Sequence, residues 1–500
     1  MRKKKIALNT LTSLILQITV IVSGFIIPRL ILSRFGSEVN GLVQSVTNFL
    51  GVIAYLELGV GAVVQSALYK PLADCDNNMV SKIYVSASKF FKNLARMLLI
   101  YVVILTIAYP MMVNSEFDFA FTGTLIIAMS INSFAQYYFG IANRLLLTAD
   151  QKGYVQYTAQ IVTLIINTIA CAVLIHIGAS IQIVKLVTSL IYLARPLALY
   201  FYVRKHYEID YNINYTEEPI KQKWNGVAQH IAAIVLDNTD TIVLTIFSTL
   251  SNVSIYSVYH LVVYGVKQLV TSLTSGVQSL LGELWARQEQ TTLDRVFALT
   301  EWGMHTGVTF LFGCTAALAV PFVQVYTKGI TDASYSVPVF ALLISLAHGF
   351  HGLRMPYHIM ILAAGHYKQT QKNYIVATLI NVVVSVITVN TWGLVGVAIG
   401  TLIAMLYQTL WMAWYNSKNL IGWPIKKVIK QLLTDSVSFI TAFYISRFFK
   451  LTSITYSAWF LLAIKVALIW LVAALCINFV FYKKNVIWFL TKMRVKKLTR

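Results

Sequence analysis

Lys267 and Arg354 stand deep inside long apolar stretches of this chain. An ionised side chain at mid-bilayer depth costs about 2.5–3.5 kcal/mol or more and is seldom kept without a role. Lysine supplies a point charge and arginine a planar fork of paired donors, so both suit an anion such as a phosphate or pyrophosphate. Around Arg354 lie His348, His351 and His358, at successive spacings of three, three and four residues. That spacing sets all four on one face of a helix. Such a stripe makes either a titratable anion-binding rail along a cavity or a set of polar groups bonded to their neighbours. A metal at His348 and His351 would lack a cysteine or acidic residue nearby to complete it, and no metal site is expected. Pro356 is placed to loosen the helix just beyond Arg354.

Acidic groups could answer these cations. Asp237 lies about fourteen residues before the turn near Ser251 and Lys267 about sixteen after it, so the two stand level across one helical hairpin. They read either as an ion pair joining two helices or as an anion ligand with its counter-ion. Asp240 shares a helix face with Asp237, and two close carboxylates hold a cation or share a proton. Glu57 sits in Leu56-Glu57-Leu58-Gly59-Val60-Gly61, where glycines let another helix approach closely. Its burial would favour a neutral, hydrogen-bonding form. Arg29 and Arg34 occupy the outer third of the first apolar segment. Arg29 is the better cavity candidate, the alternative being a side chain that snorkels to headgroups.

These residues are carried by about fourteen apolar segments of membrane-spanning length, near 8–33, 39–69, 94–113, 119–147, 154–177, 180–203, 227–249, 254–281, 297–326, 333–363, 373–390, 393–416, 431–449 and 457–481. Hydrophobic residues make up 57% of the chain and charged ones 12%, too few charges for a soluble protein of 500 residues. Lys and Arg concentrate in every second gap between segments, which by the positive-inside rule makes both termini cytoplasmic. The net charge of +21 therefore reads as headgroup contact, and nucleic acid is excluded as a partner. The start, Met1-Arg2-Lys3-Lys4-Lys5, leads into an apolar run too long for a signal-peptide core, so it reads as the first membrane helix. Cys75, Cys171, Cys314 and Cys476 are scattered, and no disulfide is expected. Residues 79–92 mix apolar and basic positions at helical spacing, as a surface helix or an extended start to the third span. The outside turns are too short for a catalytic domain. No P-loop, nucleophile elbow, HExxH or strand-borne GxGxxG is found, so no catalytic residue is assigned and an enzyme is not expected.

An internal repeat with a period of about 214 residues organises the segments. Leu147-Thr148-Ala149-Asp150-Gln151-Lys152 parallels Leu362-Ala363-Ala364-Gly365-His366-Tyr367, and Phe35 to Gly41 parallels Phe247 to Ser257. The expectation is an all-α polytopic membrane protein of two pseudo-symmetric six-helix lobes, residues 1–216 and 217–430, joined by the polar stretch 204–226. Residues 431–500 add two helices and a basic cytoplasmic tail.

Further motifs carry a resemblance: Ser23-Gly24-Phe25 with Pro28-Arg29 and Phe35-Gly36, Leu56 to Gly61, Leu68-Tyr69-Lys70-Pro71-Leu72-Ala73, Asp237-Asn238-Thr239-Asp240 and Ile255-Tyr256-Ser257-Val258. Over nearly its whole length the chain resembles the polysaccharide-repeat-unit flippases (Wzx-type) of the multidrug/oligosaccharidyl-lipid/polysaccharide exporter superfamily. The resemblance implies a V-shaped transporter of the bacterial cytoplasmic membrane. Its substrate would be an oligosaccharide joined through pyrophosphate to a polyprenyl lipid, destined for capsule, O-antigen or exopolysaccharide. A sugar head cannot cross hydrocarbon unaided, because each unpaired hydroxyl costs several kcal/mol to desolvate. On this reading Arg29, Lys267, Arg354, His351 and His358 bind substrate, while Asp237, Asp240 and Glu57 serve as counter-ions or in coupling. Partners would be the lipid-linked oligosaccharide and membrane lipids, with a polysaccharide polymerase and glycosyltransferases nearby. No cofactor is expected, and coupling to protons or sodium stays open. The alternatives are a cation-coupled multidrug exporter of the same fold and a membrane-embedded polysaccharide polymerase.

Overall fold

The computed structural model describes residues 2–53, 57–113, 117–215, 217–220, 227–272, 274–422, 424–487 and 491. Residues 221–226 of the expected linker, most of the basic tail beyond Ile487, and the side chains of Glu57 and Asp237 lie outside the described residues.

All described elements are helical, as the apolar segments require. In lipid, every backbone polar group must be satisfied within its own segment. The chain divides into two compact units, residues 1–254 and 255–500. Unit 1 holds α1 (Arg2–Gly51), α2 (Glu57–Ala73), α3 (Asn77–Met112), α4 (Phe119–Ala135), α5 (Ile141–Ala149), α6 (Gly153–His176), α7 (Ile181–His206) and α8 (Val227–Phe247), with the start of α9 (Leu250–Ser272). Unit 2 holds the rest of α9, then α10 (Thr274–Ala286), α11 (Gln290–Tyr326), α12 (Pro338–Leu353), α13 (Met355–Ala363), α14 (Tyr367–Trp392), α15 (Leu394–Asn419), α16 (Ile425–Ser446) and α17 (Tyr456–Phe481).

Among the described residues, ten helices are long and apolar enough to cross a membrane, and the protein is a multi-pass membrane protein. The first two expected segments meet at a kink at Gly36, where the backbone of α1 leaves helical geometry. That residue has φ 84° and ψ 179°, a backbone state open to glycine and little else. The third segment is one unbroken helix of 36 residues, so the amphipathic stretch 79–92 is its extended start. Between α4 and α5 one wide turn, Gln136–Gly140, carries the helix on without a break.

In unit 1 the core runs through Leu42, Val46, Val60, Phe91, Leu98, Leu125 and Leu146. The opposite faces stay apolar but exposed. On α3, Ile100, Val103, Ile104 and Ile107 are all more than half exposed, as lipid contact demands. In unit 2 the hairpin of α14 and α15 turns on Gly393, and Asn381 Nδ2 donates to Thr401 Oγ1 across 3.0 Å. A Cβ on Gly396 would sit 2.4 Å from the Thr388 carbonyl oxygen, so the two helices approach at backbone distance. Helices α16 and α17 pack on α11 around the fully buried Trp470.

Candidate functional site

The expected long span over residues 333–363 is broken at Arg354, where α12 ends and α13 begins. Pro356 is the second residue of α13 and has no N–H to return to the preceding turn. The members of the histidine stripe have three different sets of partners. Arg354, 5% exposed, donates from Nη2 to His351 Nδ1 across 2.7 Å. His358 is hydrogen-bonded through Nδ1 to Tyr374 Oη of α14 at 2.9 Å. His348, 4% exposed, faces α9, its ring 5.8 Å from that of His260.

Lys267 of α9 is buried, with 8% of its surface exposed, and acts electrostatically on both His348 and His351. Among the described residues, the groups that act electrostatically on His351 are Lys267, Arg354, His348 and His358. Four of the five residues expected to bind an anion thus lie in unit 2, with Arg354 and His351 in contact. The Arg354–His351 bond also fixes protonation geometry. Nδ1 accepts, so the ring carries its hydrogen on Nε2 and the positive charge stays on the guanidinium.

His260, Tyr264 and Gln268 were missed in the sequence. On α9, Tyr256 stacks on His260 at 5.4 Å and His260 on Tyr264 at 5.5 Å. Gln268 Nε2 then donates to Tyr264 Oη across 2.6 Å. The ladder arises from a spacing of four residues, which stacks side chains along one helix face. His260 precedes Lys267 by two helical turns, a periodicity that could have revealed it. Flat rings beside fixed cations suit a ligand with both an apolar or sugar face and an anionic group.

Arg29 and Asp240 belong to unit 1. Arg29 is half-buried on α1, and Asp240 is 3% exposed on α8. The expected pairing of Asp237 with Lys267 and the role of Glu57 rest on side chains outside the described residues. Lys465 is exposed on α17.

A second polar network in unit 2 was not anticipated. Tyr357 of α13 donates from its hydroxyl to Glu301 Oε1 across 2.6 Å, and the same hydroxyl lies 3.4 Å from His305 Nε2. His305 Nδ1 donates to Asp435 Oδ2 of α16 across 2.7 Å, and Gln431 Nε2 donates to Asp435 Oδ1 across 3.1 Å. All five residues are buried, none more than 6% exposed. Glu301 and Asp435 lie near the start of expected spans, where headgroup contact is the default reading, and this hid them. The i, i+4 pair Glu301 and His305 was the available signal.

No protein-family model matches the chain, and no curated protein matches it. Solved structures do. The Lipid II flippase MurJ in an inward closed conformation is similar with a TM-score of 0.69 and 14% identity, over 96% of this chain and 100% of that one. An inward-facing multidrug resistance MATE family transporter of the MOP superfamily is similar with a TM-score of 0.64 and 14% identity, over 79% of this chain and 94% of that one. A mutant of the Vibrio cholerae MATE transporter VcmN is similar with a TM-score of 0.57 and 13% identity, over 84% and 98%. At these identities the likeness concerns the fold alone, which this chain shares with the MurJ flippase and the MATE transporters.

Proposed function

We propose that this protein flips polyprenyl-pyrophosphate-linked oligosaccharide repeat units across the bacterial cytoplasmic membrane by alternating access, with both termini cytoplasmic. The observation that carries this reading is the gathering of Lys267, His348, His351 and Arg354 at one buried place in unit 2. A pyrophosphate with two to three negative charges is the part of such a substrate that needs fixed cations, and Arg354 offers paired donors for it. The sugars would lie along the Tyr256, His260 and Tyr264 ladder, whose rings match the flat apolar faces of a pyranose. The lipid tail would remain in the bilayer. Arg29 of unit 1 joins the substrate path on this reading, and Asp237, Asp240 and Glu57 supply counter-charge or coupling. An inward-negative potential drives an anionic head outward.

The fold is shared with multidrug exporters as well as with a lipid flippase, so export of cationic drugs is the competing reading. A cluster of bases at the site disfavours a cationic substrate, since like charges brought together in a low-dielectric medium repel strongly. Polysaccharide polymerisation would need an acidic or arginine-rich site on extended outer loops.

The test is transfer of a fluorescent polyprenyl-pyrophosphate oligosaccharide between leaflets of proteoliposomes. Lys267→Ala and Arg354→Ala should each slow it about tenfold or more, the scale of one lost charge-assisted hydrogen bond. Rapid flipping untouched by either change would keep the function and remove the site. Efflux of cationic dyes with no flipping would select the exporter reading.

A further inference from the structure

The network of Glu301, His305, Tyr357 and Asp435 joins three helices, α11, α13 and α16, away from the cationic cluster. Glu301 and His305 lie one turn apart on α11, Tyr357 reaches Glu301 from α13, and Asp435 reaches His305 from α16. Trp302 extends the same layer to α17, its Nε1 donating to Asn478 Oδ1 across 2.8 Å. Among the described residues, the titratable groups that face the network include Tyr357 from α13, Asp435 from α16 and, just past the end of α17, Tyr482. The α12 side presents the Leu353 backbone to His305. A cation also stands near, Lys430 Nζ lying over the Tyr482 ring at 4.6 Å.

Counting protons defines what the network does. Tyr357 has one hydroxyl hydrogen and gives it to Glu301, so a contact between that hydroxyl and His305 Nε2 needs a hydrogen on the imidazole. His305 also donates from Nδ1 to Asp435. The geometry therefore fits an imidazolium held between Asp435 and Tyr357. With both carboxylates ionised the group carries a net charge of minus one in a buried setting, which is costly. One more proton, shared between the carboxylates, makes it neutral without removing either chain of hydrogen bonds. Asp435 also lines a cavity of about 330 Å³ bordered by Phe312, Leu346, Phe350 and Phe439. Its lining is mostly apolar, so it borders Asp435 with a low-dielectric wall.

We propose that Glu301, His305 and Asp435 form a proton-binding site, and that its occupancy sets how firmly α13 is tied to α11. Tyr357 is the tie, and it lies three residues past the break at Arg354. Neutralising Glu301 weakens its bond to the Tyr357 hydroxyl, which frees α13 to pivot at that break. The pivot carries Arg354 and His358 with it, so the proton and the anion at the cationic cluster report to one hinge. Helix α16 enters the cycle through Asp435. That coupling rests on the flippase reading above, whereas the proton site does not.

The experiment uses the full chain in lipid nanodiscs and records infrared difference spectra between pH 8 and pH 5. A protonated-carboxyl stretch that shifts in D2O should appear in the wild type and disappear in Glu301→Gln or Asp435→Asn. It should persist in Glu283→Gln, which alters an exposed carboxylate paired with Arg287. Tyr357→Phe, which deletes only the donor to Glu301, should move the band without abolishing it. A wild type with no such band, or a band unchanged in both isosteric variants, overturns the proposal. Should Glu301→Gln or Asp435→Asn fail to fold, the wild-type band and its response to Tyr357→Phe decide alone. In proteoliposomes, a pH gradient should change flipping several-fold in the wild type and leave Glu301→Gln indifferent. If the infrared band behaves as expected while no sugar-lipid moves under any gradient, the flippase reading fails and the proton site stands.

Discussion

Asn40 Nδ2 donates to Ser254 Oγ across 2.7 Å, between two fully buried residues separated by 214 positions. That separation equals the repeat period read from the sequence, so a residue here meets the position one period from itself. Next to it the backbones crowd together. A Cβ on Gly41 would lie 1.8 Å from the Leu250 carbonyl oxygen. The obstacle is main chain, which cannot swing aside as a side chain can. Gly41→Ala should therefore destabilise the protein by about 3 kcal/mol, at the upper end for overpacking, and lower its unfolding temperature in detergent. An unchanged melting profile would mean that α1 and α9 approach less closely than described.

Arg354 can be separated into its charge and its fork. Arg354→Lys keeps the charge but loses the planar donors that reach His351 Nδ1. We expect Arg354→Lys to flip substrate more slowly than the wild type and faster than Arg354→Ala. His351→Gln should lie nearer the wild type, because its amide still offers an acceptor. Equal rates for the lysine and alanine variants would make the fork, and not the charge, the determinant.

Asp150 ties the start of α1 to the turn between α5 and α6. Lys5 Nζ lies 3.2 Å from Oδ1, Lys152 Nζ 2.8 Å from Oδ2, and the Tyr207 hydroxyl donates to Oδ2 across 2.6 Å. Burial pushes this carboxyl up, but the hydrogen bonds from Lys152 and Tyr207, the Lys152 charge and Lys5 outweigh it and hold it below its usual range. A carboxylate with a lowered folded-state value contributes stability above the ordinary carboxylate range. That contribution is lost as pH falls through the range to the folded value. Asp150→Asn should cost about 1 kcal/mol at neutral pH, the upper end for a partly exposed pair. The gap between the variant and wild type should close on acidification toward about pH 3. A gap independent of pH would assign the loss to packing.

Gly313 is the seat of Trp470. A Cβ there would fall 1.9 Å from the indole ring, which is 1% exposed and held by its Nε1 donation to Ser446 Oγ at 3.1 Å. Gly313→Ala should lower stability by about 1–3 kcal/mol, since the ring has no open space to enter. Trp470→Leu should recover part of that loss in the double variant although it destabilises alone, a coupling expected of residues in direct contact. Additive losses would show that α11 and α17 adjust without strain.

The sequence by itself determined the class of this protein. Apolar runs of bilayer length admit only helices, because lipid offers no partner to a bare peptide group. The cations Lys267 and Arg354 were legible for the same reason: a charge in such a run stands out. Their neighbours followed in part, since a spacing of three or four residues marks one helix face, and His351 does bond Arg354. Tertiary structure alone decided what lies across from each face. It brought His348 to His260 and His358 to Tyr374, contacts between helices that no spacing along one helix encodes. It also joined Tyr357 and Asp435 to the Glu301 and His305 pair, across separations of 52 to 130 residues that lie beyond any local pattern. Near a span end each of these groups looks like an ordinary headgroup contact. Only the packing of α11, α13 and α16 removes them from water and turns them into a site.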